Sequence, residues 1–453
     1  MNDAALNHRI RRSLLEVPLS PEQIPAVAET LEKNMGWLTD KSHPSLESNF
    51  WNFKDKVADA AFMLGIDKEK YIAACLKKPS LFTRAPATIN AHIQGAAFAL
   101  GIAKSAYINA ALKQPQLFTL AAETINGNIE GAATLLGTNK KKYTDAALKQ
   151  PQLFYQSPET VNENIERTAG LLGIEKKQCL TAALKRPQIF YQTPLTINAN
   201  IESAAKILGV TKQKYLACAL QYQPLFTVSA HTIKANIEGA ADILGIEKSE
   251  YLAAAFKRGP LFTLTPETIN ANIENGAKIF GLDKKTYTKA ALRQPQIFYQ
   301  LPETLNKNIE GAAKLLDIPR EKYIAAALKQ PALFALSPST VAQNASFTKI
   351  CAEKGYIRTQ DYIEDMLKNP VAFTMAPANT QLRAIHAHVT GKEVVLSRFY
   401  SGKGRSKPVL EEAVVSHFRE QFEVRGKGAQ TIRTLASAKI ISHLPDWAQP
   451  IAA

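Results

Sequence analysis

The chain has 453 residues, of which 46% are hydrophobic and 21% are charged. These apolar side chains suffice for a packed core and exclude a wholly disordered chain, and 22 Gly and 24 Pro are too few for a collagen or a flexible linker. The 55 Lys and Arg against 40 Asp and Glu give a net charge of +15, which favours a polyanionic partner such as nucleic acid or another acidic surface.

Residues 1–44 carry a net charge of −1, and Ser20-Pro21-Glu22 is typical of the first turn of a helix. We therefore predict an N-terminal helical cap over this segment. The predicted location is cytoplasmic or nucleoid-associated, with a mitochondrial presequence around Arg9, Arg11 and Arg12 as the alternative. The chain has no run of 18 apolar residues, so we expect no membrane partner.

Between residues 45 and 345 a phenylalanine, a glycine and a tyrosine each recur every 36 residues without an insertion. Asp317 replaces the last glycine, and Cys179 replaces one tyrosine. Three series in phase identify an internal repeat. The phenylalanines are Phe82, Phe118, Phe154, Phe190, Phe226, Phe262, Phe298 and Phe334.

One repeat, taken from Phe262, contains two predicted helices. The first begins at Thr265-Pro266-Glu267, a favourable N-terminal sequence, and Gly281 suits the left-handed residue that ends it. The second runs from about Lys284 to Arg293, and Pro295 stops it before a short turn. Helices of about 15 and 10 residues cannot bury their apolar faces alone, so neighbouring repeats must stack.

The fold class predicted by this period is all-α. We expect a right- or left-handed α-solenoid (superhelix) of about eight to ten 36-residue two-helix repeats, with degenerate capping repeats and a small C-terminal extension. The regular array covers residues 45–345. We expect the protein to be a monomer.

Two further segments follow the array. Residues 346–390 are predicted to form a degenerate capping repeat, in which Asn369 to Phe373 resembles the Pro-x-x-Phe element of the regular repeats. Residues 391–453 form a basic C-terminal extension of net charge +4, with the sequence GKGRSK and a predicted amphipathic helix over residues 410–422.

Five residues before each phenylalanine, at the end of the predicted second helix, lies what we call the closing residue. It is a cation in every repeat except the one that has Gln221. A cation in a last turn gains about 0.3–1 kcal/mol from the helix dipole, which is one interpretation. We favour the other, a row of phosphate-binding cations at the repeat interval. The predicted phosphate-binding residues are Lys77, Lys113, Lys149, Lys185, Lys257, Arg293 and Lys329.

A second series of cations lies three residues after each glycine, at the start of the second helix, and we call these the opening residues. A cation gains nothing from the dipole of its own helix there, so the simplest interpretation is a solvated loop. The alternative is again a row of phosphate contacts. The opening residues are Lys68, Lys104, Lys140, Lys176, Lys212, Lys248, Lys284 and Arg320.

The two residues that follow each phenylalanine, here called the post-Phe pair, vary together. Tyr is always followed by Gln, whereas Thr is mostly followed by an aliphatic residue. A base-reading code would give such a pattern, because Tyr can stack on a base and Gln can pair with an adenine edge. The alternatives are packing of one pair in place of the other, and copying of the pair by recent duplication. The predicted base-reading residues are Arg84 (for guanine), Tyr155, Gln156, Tyr191, Gln192, Tyr299 and Gln300.

Asparagine recurs ten residues after each phenylalanine, with His92 in the first position. Because Asn is a poor helix former, an inter-repeat hydrogen bond is the favoured reason for its presence. The series continues with Asn128, Asn164, Asn200, Asn236, Asn272, Asn308 and Asn344.

Motifs for catalysis and metal binding are missing from the sequence. It has no Walker-type phosphate loop, no HExxH and no GxSxG, and its four cysteines lie tens of residues apart without a CxxC. His386 and His388 are interpreted as surface residues. We predict no enzyme activity, no cofactor and no metal site.

The repeat resembles that of the mitochondrial transcription termination factor family, mTERF. The resemblance covers residues 45–345 and rests on Pro151 to Phe154, Ser157 to Val161, and Leu172-Gly173. It implies a curved superhelix with two helices and a short turn per repeat. It also implies nucleic-acid binding, mostly to double-stranded DNA and in some members to RNA.

Taken together, these features predict a modular nucleic-acid-binding repeat protein, with double-stranded DNA as the favoured partner, sequence-specific binding and a role in regulating transcription. The first alternative is a helical-repeat scaffold that binds a protein partner or an acidic surface as a host-directed factor. The second alternative is an RNA-binding repeat protein.

Overall fold

The computed structural model describes residues 3–34, 52–353, 357–375 and 394–396. The structure is 79% helical, with 21 α-helices in this part of the chain. Strand structure among the described residues is a two-residue parallel pairing of Ile357–Arg358 with Val394–Val395. Helices that follow one another in sequence pack against each other, so the fold is an all-α repeat solenoid, as the sequence predicts.

The chain divides into two compact units, Met1–His231 and Thr232–Ala453, and both contain the same repeat. In the first unit, two short helices precede the repeat helices. Its helices are α1 (Asp3–Leu15), α2 (Gln23–Asn34), α3 (Phe53–Leu64), α4 (Lys68–Lys77), α5 (Pro86–Leu100), α6 (Lys104–Lys113), α7 (Ala122–Leu136), α8 (Lys140–Lys149), α9 (Pro158–Leu172), α10 (Lys176–Lys185), α11 (Pro194–Ile207) and α12 (Lys212–Gln221).

The second unit contains the later repeats, and the first two residues of its first helix fall on the first-unit side of the division at Thr232. Its helices are α13 (Ala230–Leu244), α14 (Lys248–Lys257), α15 (Pro266–Phe280), α16 (Lys284–Arg293), α17 (Pro302–Leu316), α18 (Arg320–Lys329), α19 (Ala332–Ala335), α20 (Pro338–Glu353) and α21 (Tyr362–Lys368). Short 3-10 helices connect the repeats, and they are Pro79–Phe82, Pro115–Phe118, Pro151–Phe154, Pro187–Phe190, Gln223–Phe226, Gly259–Phe262, Pro295–Phe298 and Pro370–Thr374.

The hairpin predicted from one repeat is confirmed in detail. Helix α15 begins at Pro266, and the Thr265 hydroxyl accepts a hydrogen bond from the Thr268 backbone N–H at 3.4 Å. Helix α16 occupies the predicted Lys284–Arg293. The segment expected to be a short turn is a 3-10 helix, because proline stops the α-helix while leaving i→i+3 hydrogen bonds available.

The glycine between the two helices of a repeat is required by its backbone conformation. Gly173 has φ of 66° and follows helix α9, and the next N–H, of Ile174, donates to Ala169 O at 3.0 Å. This is the left-handed C-terminal cap that glycine forms without steric cost. Asp317 adopts the same conformation with φ of 55°, at a cost that a residue with a Cβ must bear.

Aromatic side chains join neighbouring repeats in the core. The Tyr143 ring lies edge-on to Phe190 of the following repeat, with ring centroids 5.3 Å apart and an interplanar angle of 84°. Tyr107 and Phe154 make the same contact at 5.4 Å. All four rings are fully buried, so the two recurring aromatic positions of the sequence are the inter-repeat core.

The first helices of successive repeats approach closely, and this explains why position 131 is a glycine. A Cβ on Gly131 of α7 would lie 2.7 Å from Cγ of Pro158, the first residue of α9. The first helices of adjacent repeats therefore pack with no room for a side chain at this point.

The predicted inter-repeat asparagine bond is confirmed. Asn164 Nδ2 donates to the backbone oxygen of Phe190 at 3.0 Å, and the bond is repeated along both units. The equivalent bonds join Asn128 to Phe154, Asn200 to Phe226, Asn236 to Phe262, Asn272 to Phe298, Asn308 to Phe334 and Asn344 to Phe373.

Replacing Asn164 with Ala should lower the free energy of unfolding by about 1 kcal/mol. The change leaves a half-buried carbonyl without its donor, and the better helix propensity of Ala offsets part of that loss. Asn109→Ala is the matched control, because Asn109 is exposed on α6 and should gain a few tenths of a kcal/mol. Urea denaturation followed by circular dichroism measures both; equal stabilities would contradict the role assigned to the bond.

The ends of the array agree with the predicted degeneration. At the C-terminal end the second helix shrinks to seven residues in α21, and the expected Pro-x-x-Phe element is the 3-10 helix Pro370–Thr374 with Phe373 fully buried. At the other end α2 begins at Gln23, just after the predicted Ser20-Pro21-Glu22 start. His386, His388, the GKGRSK sequence and the amphipathic helix predicted over 410–422 lie outside the described residues.

The described part of the chain contains no single helix that combines the length and hydropathy of a membrane span. Helices α5 and α6 meet those two criteria only when joined, and they are bent by 117° with respect to each other.

Candidate nucleic-acid interface

Each closing residue is the last residue of its second helix and is exposed to solvent. The side chains of the six closing lysines make no hydrogen bond or ion pair to any residue that the structure describes. They therefore present free ammonium groups at one end of successive helices. These lysines are Lys77, Lys113, Lys149, Lys185, Lys257 and Lys329.

Arg293 differs from the closing lysines because its side chain forms hydrogen bonds within the protein. Its guanidinium donates to the backbone oxygens of Leu328 at 3.3 Å and Lys329 at 2.7 Å. These carbonyls end the second helix of the next repeat, where a cation is favourable. The contact also shows that closing positions of adjacent repeats are neighbours in space.

The opening residues have a different environment, and their interpretation as a solvated loop was wrong. The Lys176 Nζ donates to Asn162 Oδ1 at 2.7 Å and Glu166 Oε1 at 2.8 Å on the first helix of its own repeat, and to Leu135 O at 3.1 Å in the preceding repeat. The opening cation thus interacts with the C-terminal end of a neighbouring first helix, where the dipole favours it.

This arrangement recurs along the array. Lys104, Lys140, Lys212 and Arg320 each donate to a carbonyl 41 residues earlier and to an asparagine 14 residues earlier. Lysines also pair with a glutamate ten residues earlier, and the hydrogen bond from the lysine holds the pKa of that carboxyl below its usual value. These carboxyls belong to Glu130, Glu166, Glu202, Glu238 and Glu274.

Charge is distributed unequally between the two helices of a repeat. The second helices α4, α6, α8, α10, α12, α14, α16 and α18 contain 23 Lys and Arg against 4 Asp and Glu. The first helices from α3 to α17 contain 8 against 14. The positive charge of the array therefore lies on its second helices, and its unpaired lysines include the closing residues.

Post-Phe residues lie next to the surface that the closing residues of a unit form, which we call the closing edge. Gln114 immediately follows the closing Lys113, and its Nε2 donates to the Tyr155 Oη of the next repeat at 2.7 Å. Burial raises the pKa of Tyr155. The predicted base-reading residues Tyr155, Gln156, Tyr191, Gln192, Tyr299 and Gln300 are half-buried, whereas Arg84 is exposed.

The glutamines of these pairs have incomplete hydrogen bonding. The Oε1 atoms of Gln156, Gln192 and Gln300 are buried and have no hydrogen-bond partner among the described residues. Half-burial and the bond to Gln114 agree with a packing role, and the unpartnered amide oxygens agree with a ligand-binding role. Whether the pairs read bases stays a prediction.

A position that the sequence reasoning missed directly follows each closing residue, and we call it the cap residue. Its backbone N–H ends the second helix by donating to the carbonyl four residues earlier, as Arg186 does to Ala182 at 2.9 Å. In two repeats its side chain reaches the post-Phe pair of the next repeat: Gln114 bonds to Tyr155, and Arg186 Nη2 donates to Thr227 Oγ1 at 3.2 Å. The cap residues Gln150 and Gln294 instead donate to Gln152 and Gln296 of their own repeat. The signal available in the sequence was the variation of the cap residue among polar residues beside a recurring proline.

The two series of cations do not share an edge. They occupy opposite ends of a ten-residue helix, about 14 Å apart along its axis, and only the closing residues adjoin the post-Phe pairs. Among the described residues no group of three or more His, Cys, Asp and Glu side chains could hold a metal ion. No family model matches the chain, and no curated protein matches it.

Proposed function

We propose that this protein is a modular double-stranded-DNA-binding repeat protein whose six closing lysines bind the phosphate backbone. The observation that carries the proposal is the contrast between two cation series that share the 36-residue period. The opening residues from Lys104 to Arg320 make hydrogen bonds within the fold, whereas the six closing lysines have no partner among the described residues. Free cations at a regular interval suit a polymer with regularly spaced negative charges.

The neighbouring groups favour a duplex over a single strand. The closing edge adjoins amide, hydroxyl and guanidinium groups, which recognise base edges exposed in a groove. Binding of single strands without sequence preference relies on exposed aromatic platforms, and the tyrosines at this edge are half-buried. The resemblance to the mTERF repeat supports the same choice and a role in regulating transcription.

Changing Lys113, Lys149 and Lys185 together to Gln tests the proposal. Each lost phosphate contact should reduce the slope of log K against log salt by about 0.9, so the triple variant should lose about 2–3 from the wild-type slope. Fluorescence anisotropy with a labelled random duplex, over a series of salt concentrations, measures it.

The matched control changes Lys206, Lys278 and Lys314 to Gln. These lysines also lie in the last turns of helices, but of first helices, so the change in charge and in dipole interaction is equal. The control should keep the wild-type slope. A slope that falls equally in both variants would mean that the overall positive charge, rather than the closing lysines, attracts the DNA. If the wild type binds no duplex at low salt, the proposed function is contradicted.

A scaffold for a protein partner is the second candidate, and one observation favours it. Phe62 and Phe98 occupy the same position in adjacent repeats of the first unit and are 87% and 90% exposed, with Met63 beside them. Exposed apolar residues of adjacent repeats are a typical protein-docking surface. If neither duplex nor single strands bind at low salt, this function replaces the first.

A further inference from the structure

Two cap residues meet a post-Phe pair in space, although the two partners belong to different repeats in sequence. We propose that two cap residues of the first unit each form a composite base-reading site with the first residue of the next post-Phe pair, Gln114 with Tyr155 and Arg186 with Thr227, and that the cap residue selects the base. The inference rests on the proposed function, because it specifies what the DNA contacts beside the closing lysines.

The contact has the same register in the two pairs that a side-chain hydrogen bond joins. Gln114 meets Tyr155, and Arg186 meets Thr227, in each case 41 residues apart. Different elements hold the two residues of a pair: the cap residue ends a second helix, and its partner follows a 3-10 helix. A site of this kind cannot be read from either repeat alone.

The polar atoms left over differ between the two sites. In the first, Gln114 uses an amide hydrogen on Tyr155. The Gln114 Oε1 and the Tyr155 hydroxyl hydrogen make no bond to the described residues, which leaves one acceptor and one donor. Adenine presents the complementary pair in the major groove, an N6 donor and an N7 acceptor.

The second site offers donors only. Arg186 directs Nε and Nη2 at the Thr227 hydroxyl, and that hydroxyl in turn donates to Pro224 O at 3.1 Å. The remaining guanidinium hydrogens form no bond to the described residues. Two acceptors on one base edge, N7 and O6, are the pattern of guanine, for which Arg is the usual partner.

Variation at the cap position has the character expected of such a site. Its side chains can all hydrogen-bond to base edges, and none is acidic or aliphatic, while φ stays between −141° and −123° in all eight. The backbone conformation at the cap position is therefore constant, while the side chain differs between repeats. The cap residues are Lys78, Gln114, Gln150, Arg186, Tyr222, Arg258, Gln294 and Gln330.

Binding selection from a random duplex pool tests the inference on the full chain. Arg186→Gln should change the preferred base at one position of the selected motif from guanine to adenine, with a change in relative preference of about tenfold. Gln114→Arg should produce the opposite change at a different position. Arg167→Gln is the control, because Arg167 is exposed on a first helix and pairs with Glu163, so its loss should leave the motif unchanged.

The outcomes separate the two proposals. If the wild type binds duplex but Arg186→Gln and Gln114→Arg both select the wild-type motif, the composite site is wrong and the DNA-binding function stands. Binding without any sequence preference would overturn the composite site in the same way. If the wild type binds no duplex, both proposals fall. Thermal unfolding of each variant checks that it is folded, and the two variants lie in different repeats, so one misfolded protein does not decide the result.

Discussion

Phe154→Ala should lower the free energy of unfolding by about 3–5 kcal/mol, the largest single effect that we expect in this protein. The ring is fully buried and lies edge-on to Tyr107 of the preceding repeat, with centroids 5.4 Å apart. Its removal costs the transfer free energy of the ring and leaves a cavity at an interface between repeats. Since a solenoid depends on contacts between nearest neighbours, the loss weakens the link on which cooperative unfolding depends.

Phe98→Ala is the matched control for that change. It removes the same side chain from the same array, but the Phe98 ring is 90% exposed, so stability should stay within about 0.5 kcal/mol of the wild type. Urea denaturation followed by circular dichroism compares the two. Similar losses in both variants would contradict the assignment of the 36-residue phenylalanine series to the inter-repeat core.

Lys176→Met should lower stability by about 1–2 kcal/mol, because it removes the donor to Leu135 O and Asn162 Oδ1. The value is reduced from that of a buried charged hydrogen bond, since the lysine side chain is 37% exposed. Lys177→Met removes an adjacent exposed lysine and should have almost no effect. Equal effects would mean that general charge, rather than the inter-repeat bond, determines the loss.

The same variant should alter the pH dependence of stability. The hydrogen bond from Lys176 holds the pKa of Glu166 below its ordinary value of 4.5, so the ionised pair contributes stability above that value. The contribution is lost as the pH falls through the lowered pKa of the folded state. The difference in stability between the wild type and Lys176→Met should therefore decrease in that acidic range, as a series of thermal unfolding curves would show.

The contrast between opening and closing residues bears on how solenoids carry charge. Both series place cations at the same interval, apart from Gln221 in the closing series, and counting charge would assign them the same role. One series stabilises the contact between repeats, as Lys176 does, and the other is left exposed at the second-helix ends. A surface for a polyanion should accordingly be sought among the cations that the fold does not use.

The sequence by itself determined the repeat, the two-helix hairpin and, through the 36-residue period, the approximate helix boundaries of the regular repeats. It could do so because those features depend on local chemistry: a capping hydroxyl such as Thr265, a proline that ends a helix such as Pro295, and a left-handed glycine such as Gly281. The asparagine bond was also predictable, because a poor helix former at a fixed position needs a compensating partner.

Only the tertiary structure decided which cations are free and which side chains form one site. The partners of Lys176, Gln114 and Arg186 lie 41 residues away in another repeat. Such distances in sequence are set by how neighbouring repeats stack, and no local propensity encodes them. Stacking brings a carbonyl to one lysine and leaves another in solvent, and that difference locates the proposed DNA-binding edge.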